Sequence, residues 1–383
     1  MPSPLSGLRI IEIGTAITAP LAGMMLADMG ADVVKVEPPG GDQFRGGHGD
    51  QYGATFIAYN RGKRSIILDL AQRSDRATLH RLIEGADVLL DNFRPGVLQR
   101  LNLDPDELRR NYPRLIHCSI TGFGASGPYR ARPAFDAVGQ ALSGFASLFV
   151  DPADPQPAGP TISDNVTGMY ACYAVLSAVI ERGRTGRGSR LEVNMLEATM
   201  AFIPDAFTNY TRANNLWGPQ SRVARSECHV FRCADDVMIS IQLSTLDKFW
   251  KGLIEALDLP ECGRDPRFAS HVLRTEHYKA LQAILAARFL TRPREHWVAA
   301  LAARDVPFAP VLTIADVLTN EQVQALGSVA TLVHPTQGPV TAVVCPVLVD
   351  GARPVAEPLP PPTAGEHTAE ILAALAADPP KRG

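Results

Sequence analysis

Short unbroken apolar runs alternate with longer segments of helical spacing over the first part of the chain. Residues 8–13 (LRIIEI) form such a run and predict a strand buried on both faces. Residues 14–19 follow as a loop. Pro20 falls where the first turn of a helix tolerates proline, and the helix stops near Gly30. A second apolar run, 32–37 (DVVKVE), completes a β-α-β unit. Further strands are expected at 64–70, 87–93, 115–121 and 189–194, and a long helix from Asp164 to about Arg182. This alternation predicts an α/β fold with an open, Rossmann-like sheet.

After residue 200 the pattern changes. Residues 201–225 read as a polar connection rich in Asn and Arg. A hairpin follows from Cys228, with Asp235 and Asp236 at its turn. A helical stretch covers 245–304, then a last strand at 306–313 and a helix starting near Ile314. A proline-rich segment leads to a terminal helix with Thr363 as a candidate cap. The expected organisation is a large α/β domain over 1–200, completed by 325–383, a linker at 201–225, and a smaller α+β domain at 226–320.

Composition narrows the function. The 383 residues are 46% hydrophobic and 20% charged, which is ordinary for a globular protein. The net charge of −3 gives no support for nucleic-acid binding. No run of 18 apolar residues predicts a membrane span, and Met1-Pro2-Ser3-Pro4 has no leader character. A soluble, cytoplasmic protein is expected. Six scattered cysteines and nine histidines show no metal-ligand spacing, so no metal site is expected. The β-α-β unit lacks GxGxxG, because no glycine lies between Gly14 and Gly23. A dinucleotide reading is therefore rejected.

Several residues are suited to chemistry. Asp164 sits at the start of an apolar helix, where it is either a cap or an ionised nucleophile. The helix dipole favours the charged form by roughly 0.3–1 kcal/mol, and a carboxylate can attack an acyl carbon. Asn92, Phe93, Arg94 and Arg100 follow the fourth strand. Arg61, Lys63 and Arg64 cluster around Gly62 before the third. Two basic patches in separate loops of one sheet can converge on one anion. Three glycines in TGFGASGPY (121–129) are consistent with close backbone approach to a ligand.

The ordered set of motifs resembles the family III CoA-transferases, a group that includes formyl-CoA transferase, carnitine CoA-transferase and the α-methylacyl-CoA racemases. The matching segments include LRIIEIGTAITAPLAGMMLADMGADVVKVEPPGGD, NRGKRSIILDL, ADVLLDNFRPGVLQRL, SITGFGASGP, FDAVGQALSG, SDNVTGMYACYAVLSAVIERGRTGRG, LEVNMLEA, VPFAPVLTIADVL and AGEHTAEIL, spanning nearly the whole chain. The resemblance implies an interlocked homodimer. It implies CoA or acyl-CoA as substrate, with no covalently bound cofactor, and a small carboxylic acid as the other partner. The family's nucleophilic aspartate falls on Asp164. Its CoA contacts fall on Ile17, Thr18, Asn60, Arg61, Gly62, Lys63, Asn92, Phe93, Arg94, Arg100, Phe135 and Asp136.

Two departures from the family pattern stand out. Pro38 follows Glu37 where some members carry arginine, and no glycine-rich loop occurs around 210–228. The missing loop argues against formyl-CoA and oxalate specificity. The racemases need a histidine where this chain has Phe135, which cannot move a proton. CoA transfer through an aspartyl–acyl anhydride is thus preferred over racemisation, and over a catalytically silent CoA-binding protein. Arg222, Arg225 and Arg232 are candidates for a second carboxylate of the acceptor, with a solvated surface as the alternative.

Overall fold

The computed structural model describes residues 3–46, 52–157 and 159–377. Met1 and Pro2, from the stretch read for a leader, and the last residues of the tail lie outside them. The chain forms two compact bodies. One comprises Met1–Ala146, Gly159–Pro204 and Gln322–Gly383; the other comprises Ser147–Ala158 and Asp205–Glu321.

The larger body is built on six parallel strands: β1 (Arg9–Glu12), β2 (Asp32–Glu37), β3 (Lys63–Ile67), β4 (Val88–Asp91), β5 (Ile116–Thr121) and β6 (Arg190–Asn194). Their order is β3-β2-β1-β4-β5-β6. The period-two alternation of side chains divides the apolar runs between two faces. Ile10, Val33, Val88, Leu90 and Ile116 point to a core shared with Ala171, Val175 and Ala178. Ile11, Val34, Ile66 and Leu89 point to the opposite core, which Leu79, Ile83 and Ile371 close. Helices therefore cover both faces, and the strands read as continuous apolar runs for that reason.

The first helix, Thr18–Asp28, has Pro20 in its first turn, and Gly30 follows it at φ +97°. It crosses the long helix Ile162–Thr185 at Gly168, where a Cβ would lie 2.8 Å from the Thr18 carbonyl oxygen. That absent side chain lets the two helix starts approach one end of the sheet. The long helix begins two residues before the expected Asp164, which places Asp164 in its first turn.

In the smaller body, strands β7 (Cys228–Arg232) and β8 (Met238–Gln242) form the expected antiparallel hairpin, and β9 (Phe308–Pro310) pairs with β8. Asp236 takes a positive φ at the turn. Leu253, Leu281, Leu285 and Trp297 fill the core beneath it. The stretch 201–225 departs from the expected connection: it carries helices Pro204–Ala213 and Ser221–Arg225. Its polar composition hid them, since none of their residues is buried. In the larger body a second hairpin, β10 (Val329–His334) with β11 (Gly338–Val343), was also missed. Thr363 bonds Glu366 in a turn, and the terminal helix starts only at Thr368.

Candidate active site

In an open parallel sheet, ligands bind beyond the strand C-termini where the strand order reverses. That point lies here between β1 and β4, and a cavity of about 250 Å³ opens there. Thr15 to Thr18 line it from the loop after β1, Asn92 to Pro95 from the loop after β4, and Ile120 to Gly122 from the end of β5. Arg130, Arg132, Ala134, Phe135 and Asp164 close it. A second cavity of about 160 Å³ shares Phe93, Arg94, Pro95 and Thr121, and extends to Arg190 and Glu192 of β6.

The loop after β1 is held by side chains from its neighbours. Asn92 accepts from the Thr15 N–H through Oδ1 at 3.0 Å, and its Nδ2 donates to the Thr15 carbonyl at 2.7 Å and to Thr18 Oγ1 at 3.0 Å. Ala16 sits at φ +65° with its N–H directed at the Asp42 carboxylate, 3.3 Å away. Asp42 pairs with Lys35 at 3.0 Å. Lys35 also reaches Glu12 at 2.9 Å and the Gly14 carbonyl at 2.8 Å. Burial opposes the Lys35 charge, but Glu12, Asp42 and Glu37 outweigh it and hold its pKa above the ordinary value.

Asp164 is partly buried at one end of the cavity. Its backbone N–H donates to Asp136 Oδ1 at 3.1 Å, so this helix-start donor is not free for an oxyanion. Gln140 Nε2 donates to the other Asp136 oxygen. Burial, and secondarily the Asp136 charge, push the Asp164 carboxyl up to about 6. The helix start does not keep it at an ordinary acidity, because desolvation by burial raises it. Most Asp164 side chains are still ionised at neutral pH, as stronger bases than a solvated carboxylate.

The structure brings together Ile17, Thr18, Asn92, Phe93, Arg94, Phe135 and Asp164 around one cavity, with Asp136 behind Asp164. It does not bring Asn60, Arg61, Gly62 or Lys63 to its lining. The two basic patches do not meet at this cavity. Arg61 forms a two-pronged pair with Asp28, through Nε at 2.9 Å and Nη2 at 2.5 Å. Lys63 is fully buried against Glu12 at 2.8 Å, the Pro20 carbonyl and Asn60 Oδ1. Its pKa is pushed down to about 8 by burial, with Glu12 opposing. Gly62 donates its N–H to the Leu359 carbonyl, and Arg64 pairs with Asp32 and Glu370. These cations anchor the first helix and β3, so their charge is neutralised internally. Arg100 ends the short helix Val97–Arg100, exposed and outside both cavity linings.

Arg222, Arg225 and Arg232 each have local partners in the smaller body: Ser226, Asn209 and Asp236 respectively. Sequence reasoning missed Arg130 and Arg132. Their signal was the RAR triplet directly after the glycine-rich loop, at the end of a strand next to the switch point. Among the described residues no group of His, Cys, Asp and Glu is arranged to hold a metal ion. No helix among them is long and apolar enough to cross a membrane.

The fold and cavity define a doubly wound α/β protein whose crevice presents one carboxylate and several guanidinium groups to an anionic ligand. The family described as CoA-transferase family III matches residues 5–368, and the chain belongs to it. It is 33% identical over 97% of its length to a succinate–glutarate CoA-transferase of Agrobacterium fabrum, covering 96% of that protein. It is also 33% identical to an acetyl-CoA:oxalate CoA-transferase of Acetobacter aceti, over 84% of each chain. Among solved structures it resembles a CAIB/BAIF family protein from Brucella suis, at 32% identity and a TM-score of 0.87, covering 98% of this chain and all of that one. The chain is accordingly an enzyme that moves CoA between an acyl-CoA thioester and a carboxylate.

Proposed function

We propose that Asp164 is the nucleophile that carries the acyl group through a mixed anhydride. The observation that carries this reading is that, among the described residues, Asp164 is the only carboxylate lining the switch-point cavity. An Asp164 oxygen attacks the donor thioester carbon, forming the anhydride and releasing CoA thiolate. The thiolate attacks the aspartyl carbonyl, giving an aspartyl-CoA thioester and the free donor acid. The acceptor carboxylate then attacks that thioester, forming a second anhydride and thiolate again. Attack of the thiolate on the acceptor's acyl carbon restores the Asp164 carboxylate and releases the new acyl-CoA. Each step exchanges one acyl bond for another, with no net proton change. A carboxylate is a modest nucleophile, so holding the thioester against it supplies much of the rate, up to roughly 7–11 kcal/mol.

Arg94, which lines both cavities, suits the phosphates of CoA, and the flat ring of Phe93 suits its base. Racemisation is disfavoured because, among the described residues, no histidine lines the cavity and Phe135 occupies the relevant position. Met169, Tyr173 and Ile180 share one exposed stripe of the Asp164 helix, which supports burial of that face in a homodimer. Light scattering of the purified chain tests the dimer. The six free thiols suit a reducing, cytoplasmic setting.

The nucleophile is tested by incubating the enzyme with acyl-CoA and hydroxylamine. The expected product is a hydroxamate on Asp164, located by peptide mass spectrometry, together with loss of activity in Asp164→Ala. Full activity of Asp164→Ala rules the reading out.

A further inference from the structure

The three sequence candidates for a second substrate carboxylate, Arg222, Arg225 and Arg232, are already engaged within the smaller body. The cavity supplies a different pair. Arg130 and Arg132 line it together with Asp164, and neither lines the adjoining cavity along β6. Among the described residues no carboxylate lies within ion-pair distance of either guanidinium. Arg132 is nevertheless held: its guanidinium lies 3.9 Å over the Tyr129 ring, its backbone N–H donates to the Tyr129 carbonyl at 2.9 Å, and Tyr129 is braced edge-on by Phe123. An arginine oriented by stacking, with its N–H fork unused, is prepared for a planar anion.

Two anions present themselves: the phosphates of CoA and a carboxylate of the acyl group. The pantetheine arm holds the phosphates far from the thioester carbon. The second carboxylate of a short diacid lies only a few bonds from it. Arginines confined to the cavity that contains Asp164 match the nearer anion.

We infer that Arg130 and Arg132 receive the distal carboxylate of the acyl group, which makes short α,ω-dicarboxylic acids the acceptor class of this enzyme. This rests on the reading of Asp164 as acyl carrier.

The test uses the full chain with succinyl-CoA as donor and two acceptors of equal length, glutarate and pentanoate. The donor is common to both, so the ratio of the two kcat/KM values isolates the acceptor. The wild type is expected to prefer glutarate by at least about tenfold, the size of one lost charge-assisted hydrogen bond. Arg132→Gln and Arg130→Gln should each shrink that ratio by about tenfold or more, and Arg132→Lys should retain part of it. A wild-type ratio near one overturns the inference. So does a ratio that stays constant in the glutamine variants, including the case in which both acceptors slow equally while the KM for succinyl-CoA rises, the mark of a phosphate contact. The Asp164 hydroxamate should still form in these variants at saturating succinyl-CoA. Its absence in the wild type would instead count against the nucleophile.

Discussion

The acidity of Asp164 offers a direct probe of the site through Asp136→Asn. Asp136 does two things to Asp164: its Oδ1 accepts the backbone N–H at 3.1 Å, and its negative charge opposes ionisation of the Asp164 carboxyl. Asparagine keeps the oxygen and removes the charge, and Gln140 can turn its amide to meet the new Nδ2. In the native site the Asp164 carboxyl lies at about 6 instead of 3.8. The difference is a penalty on the order of 3 kcal/mol against the charged form. Burial is the larger cause and Asp136 the smaller. Losing the charge should therefore return less than half of the difference. Since the ionised form is the nucleophile, the first half-reaction should rise with pH through a limb centred near 6 in the wild type. In Asp136→Asn this limb should move to lower pH by about 1 unit or less. The assay is kcat/KM for hydroxylamine-trapped CoA release between pH 4.5 and 8, with thermal unfolding as a check on folding. An unmoved or upward-shifted limb in a folded variant would refute the electrostatic reasoning. A shift of the full two units would show that Asp136, not burial, sets the acidity.

Three further outcomes are expected. Because the native Asp164 carboxyl titrates above its unfolded value, its charge opposes folding above about pH 6 and not below 3.8; Asp164→Asn should raise Tm at pH 7–8, with the gain vanishing near pH 4. Gly168→Ala drives a Cβ to within 2.8 Å of the Thr18 carbonyl and 3.0 Å of Leu21, and overpacking of this kind costs about 1–3 kcal/mol; urea unfolding should show the loss, and a rise in the KM for acyl-CoA should accompany it as the loop from Thr15 to Thr18 shifts. His229 is buried between the rings of Tyr278 and Phe231, and burial pushes its pKa down to about 4. The unfolded chain thus takes up its proton first, and stability present above pH 6.5 should fall as pH drops toward 4, by on the order of 3 kcal/mol; His229→Phe should flatten that part of the stability curve measured by denaturant titration.

The α/β architecture was legible because strands covered on both faces must be apolar at every position. Runs such as 8–13 and 32–37 carry that signature without any knowledge of their neighbours. Asp164, Asn92 and Phe135 were legible through the order of motifs along the chain. By their own positions they said less: Asp164 looked like a helix cap, and it does stand in a first turn. The helices within 201–225 and the β10–β11 hairpin escaped notice because they expose much of their surface.

What the sequence could not reveal was how charge is distributed in space. Residues 60–64 and the RAR triplet are both basic clusters beside glycines, and no local pattern separates them. Burial does. Arg61 and Lys63 lie under the first helix, where an unpaired charge is prohibitive, so Asp28 and Glu12 neutralise them. Arg130 and Arg132 line the crevice and are exposed, where a bare cation is tolerated. The same contrast governs Asp164, whose dipole setting was visible in sequence, whereas its desolvation and its proximity to Asp136, 28 residues away, exist only once the chain has folded.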